Sequence, residues 1–518
     1  MSQIFSYRKI RIYIIFIFFF LLLLLSDGMR TAGYSSIPEP NGILDERTNV
    51  WVGLSIRNTG VPSAWTELAI YRDLYWEKYG NAPPEITASG FNFEVNKEPV
   101  SLSTYNDYSK PLYVVKSFDF SGEDRSIAMV QPYLDHPPLG GLILSSLVSG
   151  EVKDFSEMTP REFRRTSLLL ANITFILLFI LGWLVFKNPI ASLLTASIYG
   201  FTPTFLLVSR YALLENVLIP ISITTFIMLY LIKNYPTKHK LKACLLISAA
   251  ILSGLAILVK ITGIYILIGS LVFLYFAKTP IKTLLGFAFT SLAIGSLYIL
   301  WGLYLLPASF FAILYYQSAS RVFSGSLATI LNIFKFGIAS FPVDGWWIGG
   351  FLSLPLLLKT KELYPLGLIA IISLLTMLFL GAGAFPWYFM IFIPFVCLAV
   401  TQLILQIYRE PSIELLTFFF VSFFMSSFFW AVVAPQYEGS FQNSQLSFLI
   451  FRIALVLTAL IIFFVPFGLK RNYLSLGKWQ FCWSFILVIC LKLNFSSFLF
   501  MLANWSNITY FFTLNWRF

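Results

Sequence analysis

Charged residues are scarce in this chain. They make up 12% of its 518 residues, whereas hydrophobic residues make up 58% and the mean hydropathy is +0.77. Soluble globular domains carry about 25% charged residues. A chain with 54 phenylalanines cannot hide so much apolar surface from water. The composition therefore excludes a soluble protein and predicts one that lies mostly in lipid.

Cysteine and histidine are scarce too. The four cysteines all lie in apolar runs, so the sequence predicts no disulfide framework. The two histidines, His136 and His239, are few for a zinc site, because zinc favours His and Cys ligands. The sequence assigns no metal ligand and no certain cofactor, and a divalent cation bound by carboxylates is the open alternative.

Long apolar runs are abundant. A transmembrane helix needs about 20 mostly apolar residues, and runs of this kind predict an all-α polytopic membrane protein of about thirteen transmembrane helices. They lie near 11–26, 166–186, 189–208, 211–233, 241–259, 262–277, 283–306, 343–358, 364–381, 386–407, 411–433, 446–468 and 479–501. The first run follows three basic residues, as in a signal peptide, but no convincing cleavage site follows it. We therefore predict a retained anchor.

The basic residues indicate an orientation. With the N-terminus in the cytoplasm, nearly every inside loop is basic, from Lys187 and 233–240 to Lys470 and Arg471, as the positive-inside rule describes. The same distribution accounts for the net charge of +11 without nucleic acid, because these charges sit in short loops between apolar runs. The sequence thus predicts a multi-pass protein of the cell membrane with no nucleic-acid partner.

One large polar segment interrupts the apolar runs. It lies outside in this topology and is rich in Trp, Tyr and Pro, so we predict a mixed extracytoplasmic loop subdomain. The predicted organisation is a first transmembrane helix at 1–26, the extracytoplasmic subdomain at 27–165, transmembrane helices two to seven at 166–306, a second extracytoplasmic loop at 307–342, and C-terminal transmembrane helices at 343–518.

Unusual polar residues gather on the predicted outer face. Polar groups near a membrane are costly and tend to mark function. Each set has an ordinary explanation when taken alone: loop charge, a helix cap before prolines, a snorkelling basic side chain or an aromatic belt. Five sets on one face favour a common site. They are Asp45 with Glu46, Asp135 with His136, Arg210 with Glu215, Lys260, and Tyr388 beside Pro386 and Trp387.

Such a set suits sugar transfer from a lipid-linked phosphate. Lys260 or Arg210 at the membrane edge would hold the donor phosphate and stabilise the charge on the leaving group. Asp45 would accept the proton of an acceptor hydroxyl, and a second acid of the set would orient that base or bind sugar hydroxyls. The rival interpretation, a transporter or flippase of lipid-linked sugars, predicts ionisable residues in mid-span and matching halves. The sequence offers almost none of the former and no matching halves.

Four ordered motifs resemble those of the C-type (GT-C) membrane glycosyltransferases, in particular the protein O-mannosyltransferases and the aminoarabinose transferases of lipid A. Together they span about 45–263, half of the chain. A later aromatic-Tyr pattern with Pro394 follows the same family. The four motifs are the Asp45-Glu46 pair, the His-Pro-Pro-Leu element that follows Asp135, the turn from Arg210 to Glu215, and the helix end Lys260-x-x-Gly263.

The resemblance implies an inverting transferase that uses a polyprenyl-phosphate sugar, with Asp45 as the catalytic base beside Glu46. It implies donor or substrate contacts at Asp135, His136, Arg210, Glu215, Lys260 and Tyr388. Gly141, where the mannosyltransferases tend to have Lys, and a Glu at 215, where Asp is commoner, depart from the family. The acceptor stays open between a protein, a lipid and a glycan, and the remaining partners are membrane lipids. The enzyme interpretation requires Asp45, Glu215 and Lys260 to converge on one outward cavity.

Overall fold

Long helices dominate the computed structural model, which describes residues 2–38, 44–66, 68, 70–80, 85–89, 92–95, 98–99, 113–118, 126–152, 157–234, 239–307, 309–322, 343–379, 386–434, 444–471 and 474–505. The α-helices are α1 (Ser2–Thr31), α2 (Leu44–Thr59), α3 (Ile70–Tyr79), α4 (Leu139–Leu144), α5 (Pro160–Phe163), α6 (Arg165–Phe186), α7 (Pro189–Phe201), α8 (Pro203–Val208), α9 (Leu214–Asn234), α10 (His239–Val259), α11 (Ile264–Phe276), α12 (Ile281–Gly295), α13 (Leu297–Leu305), α14 (Phe310–Val322), α15 (Gly345–Ser353), α16 (Tyr364–Phe379), α17 (Ile393–Arg409), α18 (Ile413–Phe419), α19 (Met425–Phe428), α20 (Ser444–Lys470) and α21 (Leu476–Ala503).

The predicted all-α polytopic architecture is confirmed. Among the described residues, nine helices are long and apolar enough to cross a membrane, and three shorter apolar helices accompany them. The predicted count of thirteen is not confirmed, because several predicted spans are short or divided. The first helix is longer than predicted. It continues beyond residue 26 to Thr31 and brings Arg30 into the buried interior.

A proline divides one of the predicted spans. The run at 189–208 forms two helices, α7 and α8, which meet at Thr202. Thr202 has extended backbone angles, φ −75° and ψ 124°, and precedes Pro203. The proline ring disfavours the helical conformation in the residue before it, so the break follows from the sequence. The chain turns at this point and enters the segment that leads to Arg210.

A mixed six-stranded sheet lies in the segment between α1 and α6. Its strands are β1 (Ala64–Thr66), β2 (Glu85–Ser89), β3 (Asn92–Val95), β4 (Glu98–Pro99), β5 (Tyr113–Phe118) and β6 (Ser126–Gln131). Their order is β1-β6-β5-β2-β3-β4, with β2 parallel to β5 and the other pairs antiparallel. Strand β6 runs directly into the segment that carries Asp135 and the two prolines, so the sheet fixes where that motif begins.

Two of the three apolar cores among the described residues hold these parts together. The larger core fills the helix bundle, and a smaller core joins the sheet segment to α13 and α14. The smaller core contains Tyr71, Val130 and Leu134 from the sheet segment, and Tyr298 and Phe310 from the helices. It therefore seats the sheet segment against the ends of helices in the bundle.

Candidate active site

Three of the predicted site residues come together in the structure. The Lys260 ammonium nitrogen Nζ lies 2.5 Å from Oε1 of Glu215 and 4.1 Å from the centre of the Tyr388 ring. All three residues are buried, with 7%, 2% and 8% of their surfaces exposed for Lys260, Glu215 and Tyr388. A buried cation needs compensation. Here one carboxylate and the face of one aromatic ring provide it.

The ends of two helices explain why Glu215 and Lys260 meet. Glu215 lies in the first turn of α9, and Lys260 follows Val259, the last residue of α10. The two helices are consecutive and pack against each other, so the start of α9 lies beside the end of α10. The helix dipole favours an acid such as Glu215 at the start of a helix and a cation such as Lys260 at the end of a helix. The pair is therefore stabilised by both helices as well as by mutual attraction.

The Lys-x-x-Gly motif requires glycine for steric reasons. Gly263 closes a 3-10 turn, Ile261–Gly263, and its N–H donates to the Lys260 carbonyl oxygen at 2.7 Å. A Cβ at this position would lie 2.2 Å from the carbonyl oxygen of Ala256. Only glycine permits so close a backbone approach. The motif thus fixes the backbone on which the lysine is presented.

Gly263→Ala is expected to destabilise the protein by about 1–3 kcal/mol, because the new methyl group overlaps a backbone atom that cannot rotate away. The midpoint of thermal unfolding in detergent measures this effect. Gly286→Ala is the matched control, since nothing lies within 4 Å of a Cβ at that helical position. Equal midpoints for the two variants would contradict the proposed steric role.

The adjacent acids Asp45 and Glu46 have different surroundings. Both lie in the first turn of α2, but Asp45 is exposed whereas Glu46 is fully buried. Glu46 forms a two-point ion pair with Arg164, with Nε to Oε1 at 2.9 Å and Nη2 to Oε2 at 2.5 Å. Pairs of this fork-to-fork type fix geometry as well as charge. Glu46 therefore anchors the start of α2, and Asp45 is presented beside that anchor.

Sequence reasoning missed Arg164, which joins several segments of the chain. Its Nη1 donates to the carbonyl oxygens of Tyr34 and Pro38, both at 2.8 Å. Its guanidinium carbon lies 5.6 Å from the centre of the Tyr211 ring. The residue is fully buried. The only sequence signal is the run REFRR ahead of the second predicted span, in which nothing marks one arginine as inward-facing.

The backbone N–H and carbonyl groups of Ala212 tie α2 to the segment that leads to Glu215. Its N–H donates to Oε1 of Glu46 at 2.9 Å, and its carbonyl oxygen accepts from Nδ2 of Asn49 at 3.3 Å. Ala212 lies three residues before Glu215 in the chain. The helix start that carries Asp45 is therefore held by direct hydrogen bonds next to the start of α9.

Asp135 is buried and held by hydroxyl groups. Thr66 Oγ1 donates to Oδ2 at 2.5 Å, and the Tyr71 hydroxyl donates to Oδ1 at 2.9 Å. The same hydroxyl accepts the Leu134 N–H at 2.8 Å. Burial, and then the nearby charge of Asp135, raise the pKa of Tyr71. Asp135 thus lies within the junction between the sheet segment and the bundle, and His136 follows it as a half-buried residue.

A glycine of the same motif lets α4 approach the paired site residues closely. A Cβ on Gly140 would lie 2.4 Å from Cδ2 of Leu214 and 3.0 Å from the carbonyl oxygen of Val259. Leu214 and Val259 directly precede Glu215 and Lys260. The motif of Gly140 therefore contributes close packing behind the ion pair of Glu215 and Lys260.

The contacts of Arg210 in the described part of the chain are with α1, with Ile37 beyond its end and with α21, rather than with Glu215. Its Nη2 and Nη1 donate to the carbonyl oxygens of Met29 and Ile37 at 2.8 and 2.9 Å. Its guanidinium carbon lies 5.3 Å from the Phe498 ring centre. A cation at a helix C-terminus satisfies carbonyl groups that lack intrahelical partners. These contacts hold the end of α1, and contact with a donor phosphate stays a prediction.

Asp344 is a second residue that sequence reasoning missed. It is buried, and its Oδ1 accepts the Trp347 N–H at 2.9 Å while its Oδ2 accepts the Thr204 N–H at 3.2 Å. One carboxylate thus caps the first turns of both α15 and α8. The signal in the sequence is an acid directly before the apolar run GWWIGGF. Asp344 connects the C-terminal half of the bundle to the segment that precedes Arg210.

The described residues contain no group of three or more His, Cys, Asp or Glu side chains placed to hold a metal ion. The alternative of a carboxylate-bound divalent cation stays open. The structure brings Glu215, Lys260 and Tyr388 into contact, and it ties the helix of Asp45 to the chain segment before Glu215. It places Asp135 and Arg210 in supporting contacts around that pair.

A family model confirms the resemblance predicted from the motifs. The model, described as dolichyl-phosphate-mannose-protein mannosyltransferase, matches residues 144–323. This stretch is a minority of the chain, but it contains Arg210, Glu215 and Lys260. Over this stretch the chain is similar to that family, as the motifs predicted. No curated protein matches the chain in sequence.

Two solved structures are similar to the chain. ArnT from Cupriavidus metallidurans, bound to undecaprenyl phosphate, has a TM-score of 0.48 and 14% sequence identity. The matched region covers 94% of this chain and 76% of the ArnT chain. The oligosaccharyltransferase AglB from Archaeoglobus fulgidus, in complex with an inhibitory peptide and a dolichol-phosphate, has a TM-score of 0.40 and 12% sequence identity. The matched region covers 86% of this chain and 55% of the AglB chain.

Proposed function

We propose that the protein moves a sugar from a polyprenyl-phosphate donor to an acceptor hydroxyl on the extracytoplasmic face of the cell membrane, with inversion at the sugar. The observation that carries the proposal is the buried group of Glu215, Lys260 and Tyr388, which joins two helix ends and one aromatic ring. The N-terminus is cytoplasmic in this proposal, and the acceptor belongs to a protein, a lipid or a glycan.

Lys260 supplies the donor-phosphate contact in this proposal. An ammonium group has three N–H donors, and within the described residues Glu215 takes one of them. The other two suit phosphate oxygens, which charged donors bind strongly. When the sugar leaves, the same ammonium stabilises the negative charge that develops on the phosphate. Glu215 meanwhile balances the lysine charge while no donor is bound.

Asp45 is the base in this proposal. The acceptor oxygen attacks the anomeric carbon, its proton passes to the Asp45 carboxylate, and the bond from that carbon to the phosphate oxygen breaks. Because a single displacement suffices, the sugar inverts and polyprenyl phosphate leaves. Glu46 acts on Asp45 through position, since its own carboxylate is taken up by Arg164 and the Ala212 N–H. In this proposal Asp135 and His136 contribute to substrate binding.

An in vitro transfer assay tests the function. Purified full-length protein is incubated with polyprenyl-phosphate donors carrying mannose, glucose or aminoarabinose, together with a membrane fraction as the source of acceptors. Release of free polyprenyl phosphate is the readout, because it does not require the acceptor to be known. The expected result is acceptor-dependent release from one of the three donors. Absence of release from all three would overturn the proposal.

Replacing the ion pair tests the donor contact directly. The double variant Glu215→Gln/Lys260→Gln removes the cation without leaving a buried carboxylate unpaired. Undecaprenyl phosphate should then bind about tenfold more weakly, the value expected when one charge-assisted hydrogen bond is lost. Native mass spectrometry or thermophoresis measures the dissociation constant. Lys282→Gln, an exposed lysine at the start of α12, is the control that should leave binding unchanged. Unchanged binding in the double variant would remove Lys260 from the donor site.

A further inference from the structure

In the described part of the chain, Lys492 lies in the middle of a candidate membrane-spanning helix and faces outward. Lys492 belongs to α21, one of the nine candidate spans, and its side chain is exposed. It lies eleven residues after Phe481 and eleven before Ala503 in an apolar stretch. At about 1.5 Å per residue, each end of the stretch is about 16 Å away along the helix. A lysine at this depth is costly unless it is paired.

The opposite face of α21 is docked in the protein. Trp483 and Phe498 are fully buried, and Asn494 accepts a hydrogen bond from Ser427. The face that carries Lys492 is a separate stripe with alternating steps of four and three residues, which is the spacing of a seam between two packed helices. The stripe consists of Phe481, Phe485, Val488, Lys492, Phe495 and Leu499.

Lys492 has no polar partner within the described chain. Its side chain makes no hydrogen bond or ion pair there, although the buried lysine of the candidate active site is paired with an acid. The side chain is also too short to reach either membrane surface, because snorkelling spans only a few ångströms of the about 15 Å to the interface. A lipid phosphate at the surface is therefore out of reach.

We infer that the Lys492 stripe is a docking surface for a transmembrane helix of another protein that carries an Asp or Glu at mid-membrane depth. Charge complementarity selects this occupant, since a carboxylate is the partner that a lysine in lipid requires. Within the described spans, a second copy of this chain does not supply it. In the nine candidate spans of the described residues, acids lie only near the helix ends. The six side chains of the stripe are spaced for packing against a helix, so they add shape complementarity to the charge complementarity.

A host peptide of known sequence tests the surface. Purified full-length protein is placed in phosphatidylcholine vesicles with a dansyl-labelled Leu-Ala transmembrane peptide that has one central Glu, or one central Gln. Energy transfer from protein tryptophans to dansyl reports association. We expect the Glu peptide to associate at least about tenfold more tightly than the Gln peptide, and Lys492→Leu to abolish the difference. Lys478→Leu, at the start of the same helix, should preserve it.

Other outcomes overturn the inference. Equal association of the Glu and Gln peptides, or a preference that survives Lys492→Leu, would exclude an acidic helix as the occupant. Self-association without peptide that is lost in Lys492→Leu would identify a second copy. Loss of the preference in phosphatidylglycerol vesicles would identify lipid head groups as the partner. Because Lys492 faces outward, Lys492→Leu is expected to fold, and its unfolding midpoint should not fall below that of the wild type.

Discussion

Asp45→Asn is expected to lower the rate of sugar transfer by about two to four orders of magnitude, the range that a positioned general base contributes. The asparagine has nearly the same shape but cannot accept the acceptor proton. Asp45 is exposed in the first turn of α2, so the substitution leaves the buried packing of that helix in place. Donor binding should persist, because the proposed phosphate contact is Lys260. The measurement is the initial rate of polyprenyl phosphate release at saturating donor.

Asp73→Asn is the matched control for this loss. Asp73 is also an exposed acid in the first turn of a helix, α3, within the same segment between α1 and α6. A general effect of removing surface charge would lower the rate in both variants, whereas loss of the base affects Asp45→Asn alone. Retention of more than half the wild-type rate by Asp45→Asn would remove the proposed base and leave the donor contact untouched.

The sequence predicted that the two residues of the central contact, Glu215 and Lys260, converge on one face, but not that they form an ion pair. Glu215 and Lys260 lie 45 residues apart, yet each sits at the end of an apolar run and on the same predicted side. The lengths of the apolar runs and the positive-inside rule predict those two features. Consecutive antiparallel helices bring such ends together, and the ion pair follows. Tyr388 is reached by the same reasoning, since it also lies at the start of an apolar run and on the same predicted side.

The supporting contacts could not be predicted in this way. Arg161, Arg164 and Arg165 share one short run, and only Arg164 turns inward to the carboxylate of Glu46, while the other two stay exposed. Which arginine turns inward depends on where α2 packs in the folded protein, and no local sequence pattern encodes that position. The same holds for Asp135, whose hydroxyl partners come from β1 and α3. Local patterns predict helix ends, whereas buried polar partners are selected by the packing of distant segments.

The pair of Arg164 and Glu46 carries the largest expected effect on stability. Both side chains have no exposed surface. Arg164→Met would leave the Glu46 carboxylate buried without its cation, and breaking a buried ion pair from one side costs about 3–5 kcal/mol. Glu46→Leu should cost a similar amount by exposing the guanidinium to an apolar interior. The unfolding midpoint in detergent, converted with a denaturant series, measures both losses.

The double variant Glu46→Leu/Arg164→Met separates pairing from packing. Because replacing a whole buried ion pair by apolar groups of similar volume is often close to neutral, it should be more stable than either single variant. That non-additivity is the signature of direct coupling. Its transfer rate should nevertheless stay low, since Glu46 also holds the Ala212 N–H and with it the start of α2 that presents Asp45. Additive losses of stability would contradict the coupling, and a wild-type rate in the double variant would show that Asp45 needs no such anchor.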